Sequence, residues 1–181
     1  MKIILLCILL LSLNACTYGR SSADIPAVIT MYNKQEIVKC GGAHRVVLVG
    51  GCFDLLHYGH LEYLRASKKF GNYLIIVLES DEHIMKYKHR QPVHNQQQRA
   101  LNLSAVRYVD QIVMLPMLSG YADYFQLVQN TCPNIIAVTE GDPQLSNIQR
   151  QAKEVGAKVQ IVVQHLNGLS STSILKHGDK N

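Results

Sequence analysis

The sequence predicts a doubly wound α/β domain built on a five-stranded parallel sheet with helices on both faces. Three observations carry that expectation. Short apolar runs recur between segments of helical period, the first two runs stand one helix apart as in a βαβ unit, and the first run ends in a double glycine before a helix that opens with two histidines.

Arg45–Gly50 is the first strand, a continuous apolar run of the kind that is covered on both faces in a parallel sheet. Helix one follows from about Tyr58 to Phe70, with Leu61 and Leu64 at core spacing and Lys68-Lys69 at the cation-favouring end. Gly71-Asn72 closes it, and Tyr73–Leu78 is the second strand, reached by a right-handed crossover. Ser80-Asp81-Glu82 caps a short helical segment leading to Lys86, Lys88 and Arg90. A second helix spans about Asn95–Val106, strand three Gln111–Leu115, a third helix Ala122–Gln129 and strand four Asn134–Val138. A fourth helix, Leu145–Val155, and a fifth strand, Lys158–Val163, complete the order. Met31–His44 is polar and weakly patterned, a lead-in helix or arm.

The stretch Val46–His60, V-V-L-V-G-G-C-F-D-L-L-H-Y-G-H, leaves the carboxyl end of strand one, where such sheets bind ligands. His57 and His60 share one helical face beside first-turn amides that have no intrahelical partner, an arrangement suited to a polyphosphate. Gly51, Phe53, Asp54, His57, Gly59 and His60 match G-x-F-D-x-x-H-x-G-H, so the stretch resembles the signature of the cytidylyltransferase-like nucleotidyltransferases, whose domain is Rossmann-like. The resemblance runs from about Arg45 to Lys176. Ser80-Asp81-Glu82, Lys88, Pro92-Val93, Arg99 and Arg107-Tyr108-Val109-Asp110 follow the family's order, and Gly168-Leu169-Ser170-Ser171-Thr172-Ser173-Ile174 resembles its second signature. The wording is nearest to heptose 1-phosphate adenylyltransferases and to ethanolamine-phosphate and glycerol-3-phosphate cytidylyltransferases.

The resemblance implies transfer of AMP or CMP from ATP or CTP to a small phosphorylated acceptor, with release of pyrophosphate and with Mg²⁺ carried on the triphosphate. It assigns His57, His60 and Lys88 to catalysis. Gly51, Cys52, Phe53, Gly59, Arg99, Gly168, Ser170, Ser171 and Thr172 are assigned to the nucleotide, and Asp54, Glu140 and Asp142 to the acceptor side. No protein metal ligand is expected. Plainer readings stand beside these. Lys86, Lys88, His89 and Arg90 also read as a solvated charge run, Arg99 equally as a helix-surface residue, Arg107 and Asp110 as structural, and Asp54 as an orienter of the turn. Two departures bear on the acceptor: His165 stands where relatives carry arginine, and Thr139-Glu140-Gly141-Asp142-Pro143 stands where sugar-phosphate relatives carry Lys-Gly-Gly-Asp. They leave open a non-catalytic nucleotide-binding protein that retains the fold.

A chain of 181 residues with net charge +5 suits one domain and a phosphate-rich ligand. The absence of tryptophan and of any aromatic and basic alternation speaks against nucleic acid as a partner. A homodimer is left open. Five scattered cysteines read as reduced thiols, and His44, His83, His89, His94 and His177 as surface residues. Residues 1–30 differ in kind. Ile3–Leu13 fits a secretory h-region, and Leu13-Asn14-Ala15-Cys16 resembles a lipoprotein cleavage box. An enzyme consuming a triphosphate belongs in the cytoplasm, so one resolution starts translation at Met31, making 31–181 the domain. The other is a protein anchored through a lipid on Cys16, which makes the membrane a partner only if the leader is genuine.

Overall fold

The computed structural model describes residues 27–38 and 40–164. Six strands alternate with five helices: β1 (Val28–Met31), β2 (Val46–Gly51), α1 (Tyr58–Lys68), β3 (Tyr73–Leu78), α2 (Asp81–Lys88), α3 (Gln96–Ser104), β4 (Gln111–Met114), α4 (Gly120–Thr131), β5 (Ile135–Thr139), α5 (Leu145–Val155) and β6 (Lys158–Val163). Every strand pair is parallel, in the order β1-β4-β3-β2-β5-β6. The chain steps one way from β2 through β3 to β4 and the other way to β5 and β6. The order therefore reverses beside β2, and a crevice opens at its carboxyl end.

The predicted Rossmann-like parallel sheet is present, with six strands rather than five. The additional strand is β1, in a stretch given no element by the sequence reading. Val28–Met31 pairs residue for residue with Gln111–Met114, and the Val28 amide donates to Asp110 O at 3.0 Å. Four residues at an exposed edge leave only a faint apolar signature, which is why the strand is hard to see in sequence. The Met31–His44 stretch is no helix. It lies along α4, where Ile37 N donates to Asn130 O at 2.8 Å and the Asn130 amide reaches Tyr32 Oη and Lys34 O.

A second correction concerns the cysteines. Cys40, in this arm, is joined to Cys132 at the end of α4 by a disulfide, with Cα atoms 5.3 Å apart. A separation of 92 residues in sequence hides such a pairing, because only the fold brings the arm back to α4.

Two apolar layers sandwich the sheet. On one face Val47, Val49, Leu74, Ile76 and Leu78 meet Leu64 and Tyr63 of α1 and Ala100 and Leu103 of α3; on the other Val46, Leu48, Ile75 and Val77 meet Leu127 and Val128 of α4 and Ala152 of α5. Leu61, expected in the core, is 39% exposed, and Tyr63 takes the buried place with its hydroxyl on Ala137 O at 2.7 Å. Gly71 is fixed by close approach, since a Cβ there would lie 2.2 Å from Arg45 O. Asp110 accepts from the Leu74 amide and pairs with Lys68, so its expected structural role holds.

Candidate active site

β2 delivers the chain into a strained turn. Phe53 adopts φ +44°, the left-handed region that a bulky residue seldom occupies and that costs about 1–2 kcal/mol. Burial of the ring offsets that strain, for Phe53 packs against His60, with ring centroids 5.0 Å apart, and lies 6.5 Å from Tyr63. Gly51 has little room for a side chain, because a Cβ would stand 3.0 Å from the Phe53 ring.

Asp54 is what holds the turn. Its carboxylate is buried, accepts from the Val93 amide at 2.8 Å and the His94 amide at 3.2 Å, and receives Arg90 Nη1 at 2.5 Å. With both oxygens engaged inside the protein, the Asp54 carboxylate holds Arg90 and the Val93–His94 backbone against the turn. Arg90 is accordingly no solvated charge but the partner that neutralises a buried carboxylate.

Arg99 also changes role. It is fully buried, and its guanidinium donates to Cys52 O at 2.5 Å, Glu79 O at 2.8 Å, Asp81 Oδ1 at 2.7 Å and His94 O at 3.1 Å. Its fork is committed to three carbonyls and a carboxylate. Arg99 thereby ties the turn after β2, the end of β3 and the start of α2 into one body, a role that neither the nucleotide-binding nor the surface reading anticipates.

His57 takes the N-cap position of α1 without capping it through its side chain, and no acidic residue stands in the first turn. The His57 and His60 rings stack with centroids 3.8 Å apart and planes 26° from parallel. Their Nδ1 atoms are buried and make no hydrogen bond. Burial lowers the proton affinity of both. His60 is pushed down to about 3 by burial, then by His57 and Lys88, against a weaker opposing pull from the Leu55 backbone and Asp54. Both rings are thus neutral near pH 7, the Leu55 backbone is already a hydrogen-bond partner of His60, and a phosphate brought against the pair would draw their proton affinity upward.

Lys88 is the last residue of α2 and exposed, yet close enough for its charge to be felt at His60, Cys52 and His83. Lys86 lies over the Tyr87 ring at 5.2 Å. The Cys52 thiol is pushed up by burial and so stays protonated, while Gly59 lies in the first turn of α1. Glu140 and Asp142 follow the carboxyl end of β5, next to β2. Glu140 is exposed, and Asp142 accepts from the Gln144 amide at 2.8 Å to shape its own turn. Gly168, Ser170, Ser171, Thr172 and His165 lie outside the described residues.

Three further side chains at this edge escape the sequence reading: Glu79, His83 and Tyr124. His83, expected at the surface, is half-buried, with Nδ1 3.2 Å from Glu79 Oε2. The available signal is an acid immediately after the apolar run Tyr73–Leu78, at the end of a parallel strand where ligands bind. Among the described residues no three His, Cys, Asp or Glu side chains converge as a metal site. The donors around the turn are imidazole N–H groups, backbone amides and an ammonium, a set that suits an anion rather than a cation.

Known proteins resemble the chain over this same span. Residues 48–177 match the Cytidylyltransferase-like family. The FAD synthase of Pyrococcus horikoshii is 33% identical over 117 residues, covering 64% of this chain and 77% of that protein. The bifunctional protein HldE of Koribacter versatilis is 31% identical over 171 residues, 92% of this chain but only 34% of the larger protein. Among solved structures, the lipopolysaccharide core biosynthesis protein of Thermoplasma volcanium superposes with a TM-score of 0.55 at 26% identity, over 68% of this chain and 98% of that one. A match from inside β2 to beyond β6, which takes in the turn and both histidines, makes this chain a member of the Cytidylyltransferase-like family and a nucleotidyltransferase.

Proposed function

We propose that the chain places the α-phosphate of ATP or CTP against His57 and His60 and there joins it to a phosphate oxygen of a small acceptor. The acceptor oxygen attacks the α-phosphorus, the bond from that phosphorus to the bridging oxygen breaks, and pyrophosphate leaves with the electron pair. The stacked histidines at the start of α1, with both Nδ1 atoms buried and unpaired and no side-chain cap on the helix, are the observation that carries this reading.

In this reading the protein contributes position and charge rather than a covalent intermediate. Two anions must approach, and negative charge grows on the leaving group. His57 and His60 donate to phosphate oxygens, Lys88 adds a flexible cation, and the backbone of Gly51, Cys52, Phe53 and Gly59 lines the crevice. Gly168, Ser170, Ser171 and Thr172 are assigned the β- and γ-phosphates on the sequence resemblance. On the sequence resemblance Mg²⁺ comes with the incoming triphosphate, where it would neutralise part of the phosphate charge. Glu140 and Asp142 stay on the acceptor side through their place beside β2. A cytoplasmic location belongs to the same reading, with a lipid on Cys16 as the alternative. Among the described residues no helix is long and apolar enough to cross a membrane.

The test is pyrophosphate release from ATP and from CTP against a panel of phospho-alcohols, phospho-sugars and riboflavin phosphate. Release with one nucleotide and one acceptor class is expected. Tight nucleotide binding with no pyrophosphate across the panel would favour a protein that keeps the fold and has lost turnover.

A further inference from the structure

Glu79 follows β3 directly, and its amide donates to Gly51 O at 3.1 Å, so its side chain sets out beside the phosphate turn. The residue is only 9% exposed. Three elements hold it. The Tyr124 hydroxyl of α4 donates to Oε1 at 3.0 Å, His83 Nδ1 of α2 stands 3.2 Å from Oε2, and Arg99 of α3 donates to its carbonyl. The Tyr124 hydroxyl lies 3.5 Å from the same His83 nitrogen, and His83 packs against Tyr87. Glu79 Oε2 is nonetheless buried without accepting a hydrogen bond. Cys52, in the turn itself, feels the charges of both Glu79 and Lys88, so the carboxyl and the cation both lie near the turn.

A carboxyl at this place needs a reason. The site gathers phosphates, and an acid beside them opposes every anion that enters. An internal clasp between α2 and α4 explains Oε1 but leaves Oε2 with His83 Nδ1 as its single neighbour, and so with lone pairs to spare. Both features are accounted for if the open lone pairs serve a ligand that brings its own donor. Burial pushes the Glu79 carboxyl up to about 7, against the Tyr124 hydrogen bond and Arg99, so it is poised to change charge as its surroundings change. Burial, then Lys88, Arg99 and Lys86, holds the His83 imidazole below its ordinary range, and burial, then Glu79, raises the Tyr124 phenol.

We infer that Glu79, held by His83 and Tyr124, selects the acceptor: it accepts a hydrogen bond from a hydroxyl or ammonium group remote from the acceptor's phosphate and turns away acceptors carrying a second anion there. This rests on the acceptor-phosphate reading above and adds which chemistry the far end of the acceptor has. Rejection of an unpairable group in a buried site is the stronger half of such selectivity.

Three matched three-carbon phosphomonoesters, ending in an amine, a hydroxyl or a carboxylate, test it with the full chain. The wild type should prefer the amine and hydroxyl compounds to the carboxylate by at least about tenfold in kcat/KM. In Glu79→Gln the carboxylate should gain and the amine lose, compressing the amine-to-carboxylate ratio by at least about tenfold. Tyr124→Phe, which frees Oε1 but keeps the acid, should preserve the order of preference. An amine-to-carboxylate ratio in Glu79→Gln within about twofold of wild type, or the carboxylate as best wild-type acceptor, would overturn the assignment. Calorimetric binding of the same three compounds beside a non-hydrolysable triphosphate carries the comparison independently of turnover. Absence of pyrophosphate then counts against the proposed reaction, while the affinity ratios decide Glu79.

Discussion

At the residue scale, His57 and His60 combine low basicity with unmet hydrogen-bonding capacity, two properties that packing alone would not select. His57→Ala and His60→Ala should each lower turnover by at least about a hundredfold, the loss typical of removing one preorganised donor to developing charge. Steady-state kinetics on variants with native circular dichroism checks this, and near-wild-type turnover in both would remove the site assignment. His60 also carries a stability signature. Its proton affinity in the folded chain corresponds to about 3, below that of an exposed imidazole, so the unfolded chain takes up the proton first as pH falls. Wild type should therefore lose stability through this group from about pH 6.5 downward. Glu79 works in the opposite sense, because its carboxyl is raised to about 7 by burial; its contribution is complete below the ordinary carboxylate range and is lost as pH rises towards 7. Denaturant titrations at pH 5 and pH 8 separate the two. His60→Gln should gain relative to wild type at pH 5, and Glu79→Gln should gain at pH 8. Equal shifts at both pH values would mean that neither group is perturbed as the fold implies.

At the scale of elements, β1 is the piece whose importance is easiest to misjudge. A chain beginning at Met31 discards three of its four residues and with them the Val28 amide bond to Asp110 and the pairing to Gln111–Val113. Three or so ladder bonds, each worth about 0.5–1.5 kcal/mol net, set the expected loss at roughly 1.5–4.5 kcal/mol. A chain beginning at Ala27 should keep that stability. Nucleotide binding should survive in both below their melting points, because β4 and β3 separate β1 from the site. Equal denaturant midpoints for the two chains would show that the edge strand contributes nothing. The same element marks the limit of what a sequence discloses. Strands β2, β3 and β5 are legible because burial on both faces demands unbroken apolar runs, and α5 because its period over 11 residues ends at a C-cap glycine, Gly156. Short β1, with Val28 and Met31 more than half exposed, carries no such pressure. The histidine pair was legible through its motif. Arg99 was not, since a helical arginine bound to carbonyls from three other segments reads the same as one in water until those segments are brought together. Arg90 and Asp54, 36 residues apart, are hidden for the same reason.

At the scale of the whole molecule, the disulfide and the proposed location pull in different directions. Cys40–Cys132 encloses the chain from the arm to the end of α4, including β2, the phosphate turn and Lys88, and pins an arm that α4 already holds through Asn130 and through Lys34–Asp123 at 3.7 Å. Closing a loop of nearly a hundred residues restricts the unfolded chain, an effect typically worth about 2–4 kcal/mol and at most about 5. Cys40→Ser and Cys132→Ser should each lose about that much, the double variant should lose no more than either, and reductant should bring the wild type to the same level. Cys52 lies outside the pair and should react with a thiol reagent only on unfolding, since burial keeps its thiol protonated. Disulfides persist in oxidising compartments and are rare in the cytosol, whereas the proposed reaction consumes a nucleoside triphosphate. Thiol labelling of protein taken from its native cells under non-reducing quench, together with the mass of its N-terminus, brings the two to one measurement. Free Cys40 and Cys132 would leave the cytoplasmic reading standing and remove the bridge from the stability of the working enzyme. A blocked pair with a lipid on Cys16 would place the chain where triphosphate is scarce, and the search for its acceptor would have to begin with the nucleotides available on that side of the membrane.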